Sequence, residues 1–386
     1  MTSGPLPDDL GDADRAAVEA VRRLAEEVLA PLAADTDATA SFPTRQLAAL
    51  AELGVLGMNL PPAHGGPGLS AGAFAACVEA IAGACGSTAS AVTAHFLATD
   101  ALLMGGDDAL RARYLPDASA GRRLGAFALT EPRAGSNPAD MRCRATATAG
   151  GYHLTGVKHF ISNGGVADFI IVFAVTDPQA GHKGISAFVV DRGTPGLLPG
   201  KPEKTMGLRG GHIFELAFDC EIDAAQRLGA EGSGFRTAMK VLDNGRIEVA
   251  AMCLGIGQAA LDAALGWVGQ REIGGQPLAE YQGIQWMLAD MATELRAARL
   301  LTEDAARKRG SGRRFSLEAS MAKLFASEVA GRVADRALQI HGGYGYIAGM
   351  PLERYVRDLR IMRIYEGSSE IQRTIIARAL GTGAVR

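Results

Sequence analysis

The chain has 386 residues, 48% hydrophobic and 21% charged, which is ordinary for a globular protein and too long for one small core. A net charge of −3 gives no reason to expect nucleic acid or an anionic membrane as a partner. The five cysteines form no C-x-x-C pair, the N-terminus is polar and acidic, and no run of about 18 apolar residues occurs, so we expect a cytoplasmic protein with reduced thiols and no membrane span.

The period of the apolar residues changes twice along the chain. From 13 to about 121 they recur every three or four positions, which predicts an N-terminal helical domain at 1–122. Short β-branched and aromatic stretches separated by Gly, Asn, Asp and Pro then predict a β domain at 123–230, mainly antiparallel, as a barrel or sandwich. From Gly232 onward long helical segments with short links predict an antiparallel bundle at 231–386. The fold class is therefore mainly α with a central β domain.

Two kinds of site are not supported by the motifs. Gly255, Gly257 and Ala260 match G-x-G-x-x-A, but the residues before them continue a helix, so we interpret them as small residues that let two helices pack closely. No metal site is predicted, because the seven histidines never pair at i, i+4 with a neighbouring acid and no Cys/His cluster exists. His95, within an apolar helix, is interpreted as structural.

Four stretches admit either a structural or a functional interpretation. "LTEPRAGSNPAD" at 129–140 is either a well-capped turn or a ligand loop that uses Thr130 and Ser136, and "KHFISNGG" could complete the same pocket with Phe160 and Ser162. "QIHGGYGYI" at 339–347 is either a plain helix-breaking loop or a place of close backbone approach. In "RIYEGSSEIQR", Glu366 is either a solvated loop acid or a base directed into a cleft, and Ser369 with Gln372 predicts a capping box behind it.

Together these stretches resemble the acyl-CoA dehydrogenase family over nearly the whole chain. "LTEPRAGS" is similar to the family's T-E-P-x-A-G-S signature and "KHFISNGG" to its second flavin-contacting segment. "QREIGGQPLAEYQGIQWMLADMA", "QIHGGYGY" and "RIYEGSSEIQR" are similar to its C-terminal signatures. The resemblance implies FAD as cofactor, an acyl-CoA substrate, an electron-transfer flavoprotein as acceptor and a homotetramer built as a dimer of dimers.

The resemblance also implies roles for individual residues. Glu366 would be the catalytic base, removing the α proton of an acyl thioester while a hydride leaves from the β carbon to FAD. The residues implied to contact FAD within the subunit are Phe127, Leu129, Thr130, Gly135, Ser136, Phe160, Ser162, Ser368 and Glu370. Those implied to reach the FAD of a neighbouring subunit are Arg271, Gln282 and the stretch from Gln339 to Gly343, including Gly342. The implied substrate contacts are Ser136, Asp243, Arg246 and Gly367.

Three positions depart from the family pattern. Phe160 replaces the usual tryptophan, Gly274 stands where an aromatic residue is usual, and Arg133 replaces a common glycine beside the ligand loop. For Phe160 we expect altered flavin stacking, and for Gly274 a lost packing partner for the neighbour's FAD. For Arg133 we expect altered access or altered CoA contacts. The family's alternative base position, in "LDNGR", is Gly245, which leaves Glu366 as the available base.

Rival activities share this fold. Related monooxygenases usually lack the base and nitroalkane oxidases use aspartate, so Glu366 argues against both, while an intact "TEPRAGS" and Arg246 argue against a non-catalytic homologue. The acyl group is not fixed by the sequence. Thr93 and Phe96 are candidate lining residues of the tail pocket, and a bulky Phe96 points to a short or compact acyl chain.

Overall fold

The computed structural model describes residues 10–381 together with Gly4, Leu6 and Pro7. Within these residues a helical region precedes a β region, and a second helical region follows it. The helices are α1 (Asp12–Leu24), α2 (Ala30–Thr39), α3 (Thr44–Glu52), α4 (Ala71–Ala84), α5 (Gly86–Gly105), α6 (Asp108–Ser119), α7 (Gly234–Val268), α8 (Gln282–Gly310), α9 (Ser316–His341), α10 (Gly343–Tyr346), α11 (Leu352–Arg360) and α12 (Ser369–Ala379).

The strands form one eight-stranded sheet and a separate small hairpin. They are β1 (Gly125–Ala128), β2 (Arg144–Ala147), β3 (Gly151–Ser162), β4 (Phe169–Val175), β5 (Ile185–Asp191), β6 (Leu197–Pro199), β7 (Ile213–Asp223), β8 (Arg227–Leu228), β9 (Glu272–Ile273) and β10 (Gln276–Pro277). The large sheet runs β6-β7-β3-β2-β4-β5-β8, with β1 paired to β4. The predicted antiparallel sheet is confirmed in the main, but β1 and β2 each pair with β4 in parallel.

The sheet is buried on both faces, which explains why β4 reads as a continuous apolar run. Phe169, Ile171 and Phe173 pack towards α5, α6 and the start of α7. Ile170 and Val172 point the other way, into a core made only of residues from the sheet and its adjoining loops. The sheet therefore wraps around a core of its own side chains, as a barrel or sandwich requires.

The two helical regions share one core. Buried residues of α1, α4 and α5 join those of α7, α8 and α9 in a single cluster. The glycines of α7 make this possible: a Cβ at Gly255 would lie 2.1 Å from the Glu79 carbonyl oxygen and 2.8 Å from the Gly83 nitrogen. This confirms that Gly255 serves close helix packing rather than dinucleotide binding.

Helix α7 is long and apolar enough to cross a membrane, the one such helix among the described residues. Its most apolar stretch is 72% buried inside the protein, and a helix at the centre of a protein core has the same length and composition. Its composition thus follows from its position between α4, α5, α8 and α9.

His95 fixes α5 against the start of β1, as expected of a structural histidine. Its Nδ1 accepts a hydrogen bond from the Gly125 amide at 2.9 Å, so Nε2 carries the proton and donates to the Leu56 carbonyl at 3.2 Å. Burial lowers its pKa to about 4, so the ring is neutral. The first strand of the sheet and the helix that faces it are thereby held in fixed register.

Two arginines after α10, Arg357 and Arg363, form ion pairs with other helices. Arg357 forms a two-point ion pair with Asp37 of α2 and also contacts Glu353. Arg363 contacts Glu328 of α9 at 3.5 Å. These contacts fasten the segment that leads to Glu366 onto both helical regions.

Candidate active site

A cavity of about 120 Å³ opens where α5, the ends of β1 and β3, and the loop before α12 meet. We refer to it as the cleft. Its lining residues are Ser90, Thr93, Ala94, Leu97, Phe127, Leu129, Thr130, Phe160, Ile161, Ser162, Leu242, Tyr365 and Glu366. Seven residues with predicted site roles therefore converge here from segments more than 200 positions apart.

A buried ion pair shapes the β side of the cleft. The Lys158 ammonium contacts Glu131 at 2.8 Å and donates to the Leu129 carbonyl at 3.0 Å. Glu131 also accepts the backbone N–H groups of Arg142 and Cys143. Because both charges are fully compensated, the pair can be buried, and it fixes the loop after β1 against β3.

Phe160 presents its ring to the cleft because the strand is bulged at that point. The β3–β7 register shifts between Lys158 and Ile161, and Phe160 has a φ of +59°. A left-handed backbone is uncommon for an aromatic residue and tends to occur where function requires it. The ring stacks on His159 with centroids 4.0 Å apart and stays 57% exposed. A flat apolar surface is thus held open at the mouth of the cleft.

The loop after β1 continues onto the surface. Arg133, Gly135 and Ser136 are exposed, and nothing lies within 4 Å of a Cβ placed at Gly135. These residues stand beside the cleft rather than inside it, and their roles in cofactor, substrate and access stay predictions.

Glu366 lies on a loop whose backbone is held from two helices. Glu366 and Gly367 have φ values of +55° and +88°. Gln372 of α12 donates its side-chain N–H to both carbonyls, at 3.1 and 2.9 Å. Lys323 of α9 donates to the Gly367 carbonyl at 2.8 Å. We call these contacts the carbonyl clamp; it places the Glu366 side chain in the cleft.

The predicted capping box at the start of α12 is wrong. Ser368 is the residue that caps the helix, accepting the Ile371 N–H at 3.5 Å. Ser369 instead donates to Glu328 of α9 at 2.7 Å, and Gln372 belongs to the carbonyl clamp. The S-x-x-Q pattern misled because Gln372 reaches past the cap to the loop before it.

Ser368 and Glu370 lie at the start of α12, next to Glu366. Ser368 is half-buried, and Glu370 is exposed. A hydrogen bond with Ser368 lowers the pKa of Glu370, so this carboxylate is ionised. Their contact with FAD stays a prediction.

One oxygen of the Glu366 carboxyl group is shielded from water, although the residue as a whole is only half-buried. Its Oε2 is buried and has no hydrogen-bond partner among the described residues. Burial raises the pKa of Glu366 to about 7, and the nearby Lys323 and Arg246 counteract part of this rise. Burial likewise lowers the pKa of Lys323 to about 8. A carboxyl group that titrates near neutral pH is suited to exchange protons with a weak carbon acid.

Arg246 is held beside Glu366 by Asp243. Both oxygens of Asp243 are occupied, one by the Arg246 guanidinium and one by the Ser316 hydroxyl. Arg246 is buried, and its positive charge interacts with the Glu366 carboxyl group. Asp243 therefore positions Arg246, and the predicted substrate contacts of both residues, like that of Gly367, stay predictions.

Gly245 faces the same point as Glu366. A Cβ at Gly245 would lie 2.2 Å from Glu366 Oε2 and 2.9 Å from Leu97 Cδ2. The absence of a side chain at 245 thus leaves room for the Glu366 carboxyl group. The two positions that the sequence suggested for a base do share one cleft.

A second, wider groove of about 600 Å³ lies elsewhere on the helical bundle. Arg271, Gln339, Gly342 and Gly343 line it, and the Arg271 guanidinium lies 5.9 Å from the centre of the Tyr344 ring. Gln282 is exposed at the start of α8. None of these five residues lines the cleft, and their contact with the FAD of another subunit stays a prediction.

Gly274 has a structural reason for departing from the family pattern. Gly274 and Gly275 form the two-residue turn of the β9–β10 hairpin, with φ values of +62° and +84°. Two successive positive φ values are required by the type I′ turn that suits such hairpins. Tyr281 closes the turn by donating to the Ile273 carbonyl at 2.6 Å. An aromatic residue at 274 would strain this turn.

Of the two residues expected to line the tail pocket, one does so. Thr93 lines the cleft. Phe96 is completely buried and packs against Phe74 at 5.5 Å between ring centres. Helix periodicity places Phe96 on the face that turns to α4, so its bulk says nothing about acyl chain length.

The sequence reasoning missed Lys323, Lys158 and Tyr365. Lys323 lies between apolar residues, which is an indication of a buried polar role, whereas Lys158 and Tyr365 each have a polar or exposed residue beside them. Their partners, however, are 27 to 44 positions away for the two lysines and appear only in three dimensions.

Comparison with known proteins agrees with this geometry. The chain matches the N-terminal, middle and C-terminal domains of acyl-CoA dehydrogenases over residues 11–122, 126–220 and 232–381. The chain belongs to the acyl-CoA dehydrogenase family. It is an oxidoreductase that dehydrogenates acyl-CoA with FAD.

Individual relatives cover almost the whole chain. The chain is 44% identical to the acryloyl-CoA reductase (NADH) of Anaerotignum propionicum, over 92% of this chain and 91% of that protein. It is 42% identical to the mitochondrial short-chain specific acyl-CoA dehydrogenase of Mus musculus, over 92% and 87%. A chain in the solved structure of the electron transferring flavoprotein of Acidaminococcus fermentans superposes with a TM-score of 0.95 at 38% identity, covering 97% and 99%.

The residues of the cleft fit FAD. The open ring of Phe160, the apolar side chains of Phe127 and Leu129, and the hydroxyl groups of Thr130 and Ser162 all border one space. A planar aromatic cofactor with polar edges requires this mixture. These residues would hold the flavin beside Glu366, which is where a hydride acceptor is needed.

We expect Gly245→Ala to slow flavin reduction by an acyl-CoA. The added methyl group would displace the Glu366 carboxyl group, and a shift of about 1 Å in a catalytic group can cost about 100-fold in rate. Anaerobic stopped-flow with butyryl-CoA measures the rate, and FAD content should be unchanged. Gly266→Ala is the matched control, since it lies in the same helix and nothing lies within 4 Å of its Cβ. A parental rate in Gly245→Ala would contradict the placement of Glu366.

The rate of flavin reduction at low acyl-CoA should rise with pH through an apparent pKa near 7, because Glu366 must be ionised to act as a base. The folded pKa is raised above the ordinary 4.5, so the stability contributed by this group falls as pH rises from 4.5 through 7. Arg246→Ala removes a cation that lowers this pKa and should move the rate profile to higher pH. Arg332→Ala, an exposed arginine of α9, should not. A shift to lower pH in Arg246→Ala would contradict the assignment.

Proposed function

We propose that the protein oxidises a short-chain acyl-CoA to the 2-enoyl-CoA, with Glu366 as the base that removes the α proton. The observation that carries this proposal is the carboxyl group of Glu366, buried in the cleft with its pKa near 7 and with room left for it by Gly245. The short-chain specific relative at 42% identity supports the substrate class.

The chemistry explains each feature around the base. An α C–H of a thioester is a weak acid, so negative charge that develops on the carbonyl oxygen must be stabilised. We assign this to the backbone N–H of Glu366, since one donor of this kind is worth roughly 3 kcal/mol. Gly367 next to it keeps side-chain bulk away from the thioester. When bound, FAD accepts the β hydride, which no side chain can do.

Proton transfer can run in either direction at this site. The Glu366 carboxylate accepts the α proton during oxidation, and the protonated form returns it during reduction of an enoyl thioester. Because its pKa lies near 7, both forms are populated at neutral pH. The relative that is named an acryloyl-CoA reductase makes reduction the second candidate activity. The alternative of a flavin oxidase has weaker support, from the prolyl acyl carrier protein oxidase AnaB, which is 31% identical to this chain.

The acceptor that we propose is an electron-transfer flavoprotein, on the strength of the similar chain in the Acidaminococcus fermentans structure. We place the protein in the cytoplasm, where the five buried, unpaired cysteines would stay reduced. Its role would be the breakdown of fatty acids or amino acids.

We further propose a homotetramer. Tyr344 and Ile347, which line the second groove, are 51% and 54% exposed. Tyr346 in the same segment and Trp286 of α8 are 81% and 63% exposed. Apolar exposure on this scale is typical of an interface. A neighbouring chain that covers the groove would bring its FAD to Arg271 and Gln339.

Analytical ultracentrifugation should give four times the 40.1 kDa mass of one chain. Arg271→Ala should keep this mass but lose FAD more readily on dilution, because Arg271 would contact the neighbour's cofactor. Arg144→Ala, an exposed arginine of β2, is the control and should retain FAD. A monomer that keeps its FAD would refute the shared site.

Glu366→Gln tests the base directly. Glutamine is nearly isosteric and keeps the backbone N–H, so the variant should bind FAD and acyl-CoA and shift its flavin spectrum on binding. It should barely bleach anaerobically, with a loss of at least about 10²–10⁴-fold in rate. The double variant Glu366→Gly, Gly245→Glu should regain some bleaching, since both positions face one point. Reduction of Glu366→Gln at the parental rate would show that Glu366 is not the base.

A further inference from the structure

Glu248 of α7 is a buried acid with no assigned partner. It is 1% exposed, and neither carboxyl oxygen has a hydrogen-bond partner among the described residues. Other buried acids of the chain are compensated: Glu79 pairs with Arg299, and Glu131 pairs with Lys158. A buried carboxyl group that makes no hydrogen bond is unfavourable, so its presence requires an explanation.

The contacts of its helix show where Glu248 lies. Asn244, Glu248 and Met252 share one face of α7, since they are four residues apart. Asn244 donates to Asp100 of α5 at 2.6 Å, and the Met252 sulfur lies 3.8 Å from the Thr93 hydroxyl. The two helices are therefore antiparallel here, and Glu248 is level with the middle of the α5 segment between Thr93 and Asp100.

That level of α5 borders the cleft. Thr93 and Leu97 line it, and Leu97 Cδ2 lies 2.9 Å from where a Cβ of Gly245 would stand, one turn before Glu248. Tyr365, which also lines the cleft, contacts Met252 through its hydroxyl group at 3.8 Å. Glu248 is thus placed behind the inner wall formed by Leu97, Tyr365 and Glu366, and an acyl chain that passed between these residues would reach it.

The charges around Glu248 define what it could bind. Burial, then the carboxyl groups of Asp100 and Glu366, raise its pKa well above the usual value, and Arg309 is the cation that opposes them. A neutral carboxyl group can both accept and donate a hydrogen bond. Glu248, Asp100 and Glu366 together would disfavour an acyl chain that ends in a carboxylate and favour one that carries a hydrogen-bond donor.

We propose that Glu248 is a specificity residue of the acyl pocket, which recognises a hydrogen-bond donor, a hydroxyl or ammonium group, carried by the acyl chain beyond its β carbon. The proposal rests on the proposed function, because the orientation of the acyl chain follows from Glu366 as the base. It refines the short-chain assignment from chain length to chain polarity.

Paired substrates test it. In the first series butyryl-CoA has no polar group on the chain, 4-hydroxybutyryl-CoA carries a hydrogen-bond donor, and 4-methoxybutyryl-CoA carries an acceptor only. In the second series hexanoyl-CoA is compared with 6-aminohexanoyl-CoA, which carries an ammonium group. The parent should show at least about a tenfold higher kcat/KM for one or both donors, because a site built to pair a donor rejects an analogue that lacks it. Glu248→Leu should invert the preference, and Glu248→Gln, which keeps hydrogen-bonding capacity, should retain part of it.

A purely structural role for Glu248 would change the unfolding temperature and FAD content but not these ratios. Equal preference ratios in the parent and Glu248→Leu, or no preference for either donor in the parent, would overturn the proposal while the dehydrogenase activity stood. If no acyl-CoA bleached the parent, the proposed base chemistry would fail instead. Calorimetric binding of the same pairs to Glu366→Gln, which needs no turnover, would then decide the role of Glu248.

Discussion

The active site depends on keeping Oε2 of Glu366 out of water without giving the carboxyl group a full counter-charge. Burial alone would hold it protonated, and a direct ion pair would hold it ionised and unreactive. Arg246 and Lys323 are near enough to offset part of the burial, yet Glu366 Oε2 makes no hydrogen bond to a described residue. Each cation is committed elsewhere, Arg246 to Asp243 and Lys323 to the Gly367 carbonyl.

This balance requires a rigid frame, which the fold supplies from three directions. Helix α9 contributes Lys323, and α12 contributes Gln372, so the loop before α12 is clamped at its carbonyl groups. Helix α7 contributes two adjacent residues: Gly245 leaves space for the Glu366 carboxyl group, and Arg246 places a positive charge near it. The sheet closes the remaining side through the loop that Lys158 and Glu131 fix. The positive φ of Glu366 is unfavourable for a residue with a side chain, so without these contacts the backbone would move to a more favourable conformation.

Periodicity predicted the helices and strands because the spacing of apolar residues follows from which face of each element is buried. It did not predict the parallel pairing of β1 with β4, because pairing partners are set by tertiary contacts rather than by local sequence. Motif resemblance located Glu366, Phe160 and Arg246, which the structure brings together in or beside the cleft. The resemblance did not identify Lys323 or the clamp role of Gln372. Both side chains bind backbone carbonyl groups, and because every residue has one, the sequence does not show which carbonyl is bound.

The interior behind the cleft carries an excess of acids, and this excess has a consequence for selectivity. Asp100 is stabilised by amide donors from Asn59 and Asn244, at 2.7 and 2.6 Å, so its place is satisfied within the protein. Glu248 has no such donor, although it lies on the same face of α7 as Asn244. A chain that needed only an apolar tail pocket would gain stability from leucine at 248. The presence of an acid whose own ionisation is opposed by Glu366 is therefore understandable if the missing donor arrives with the substrate.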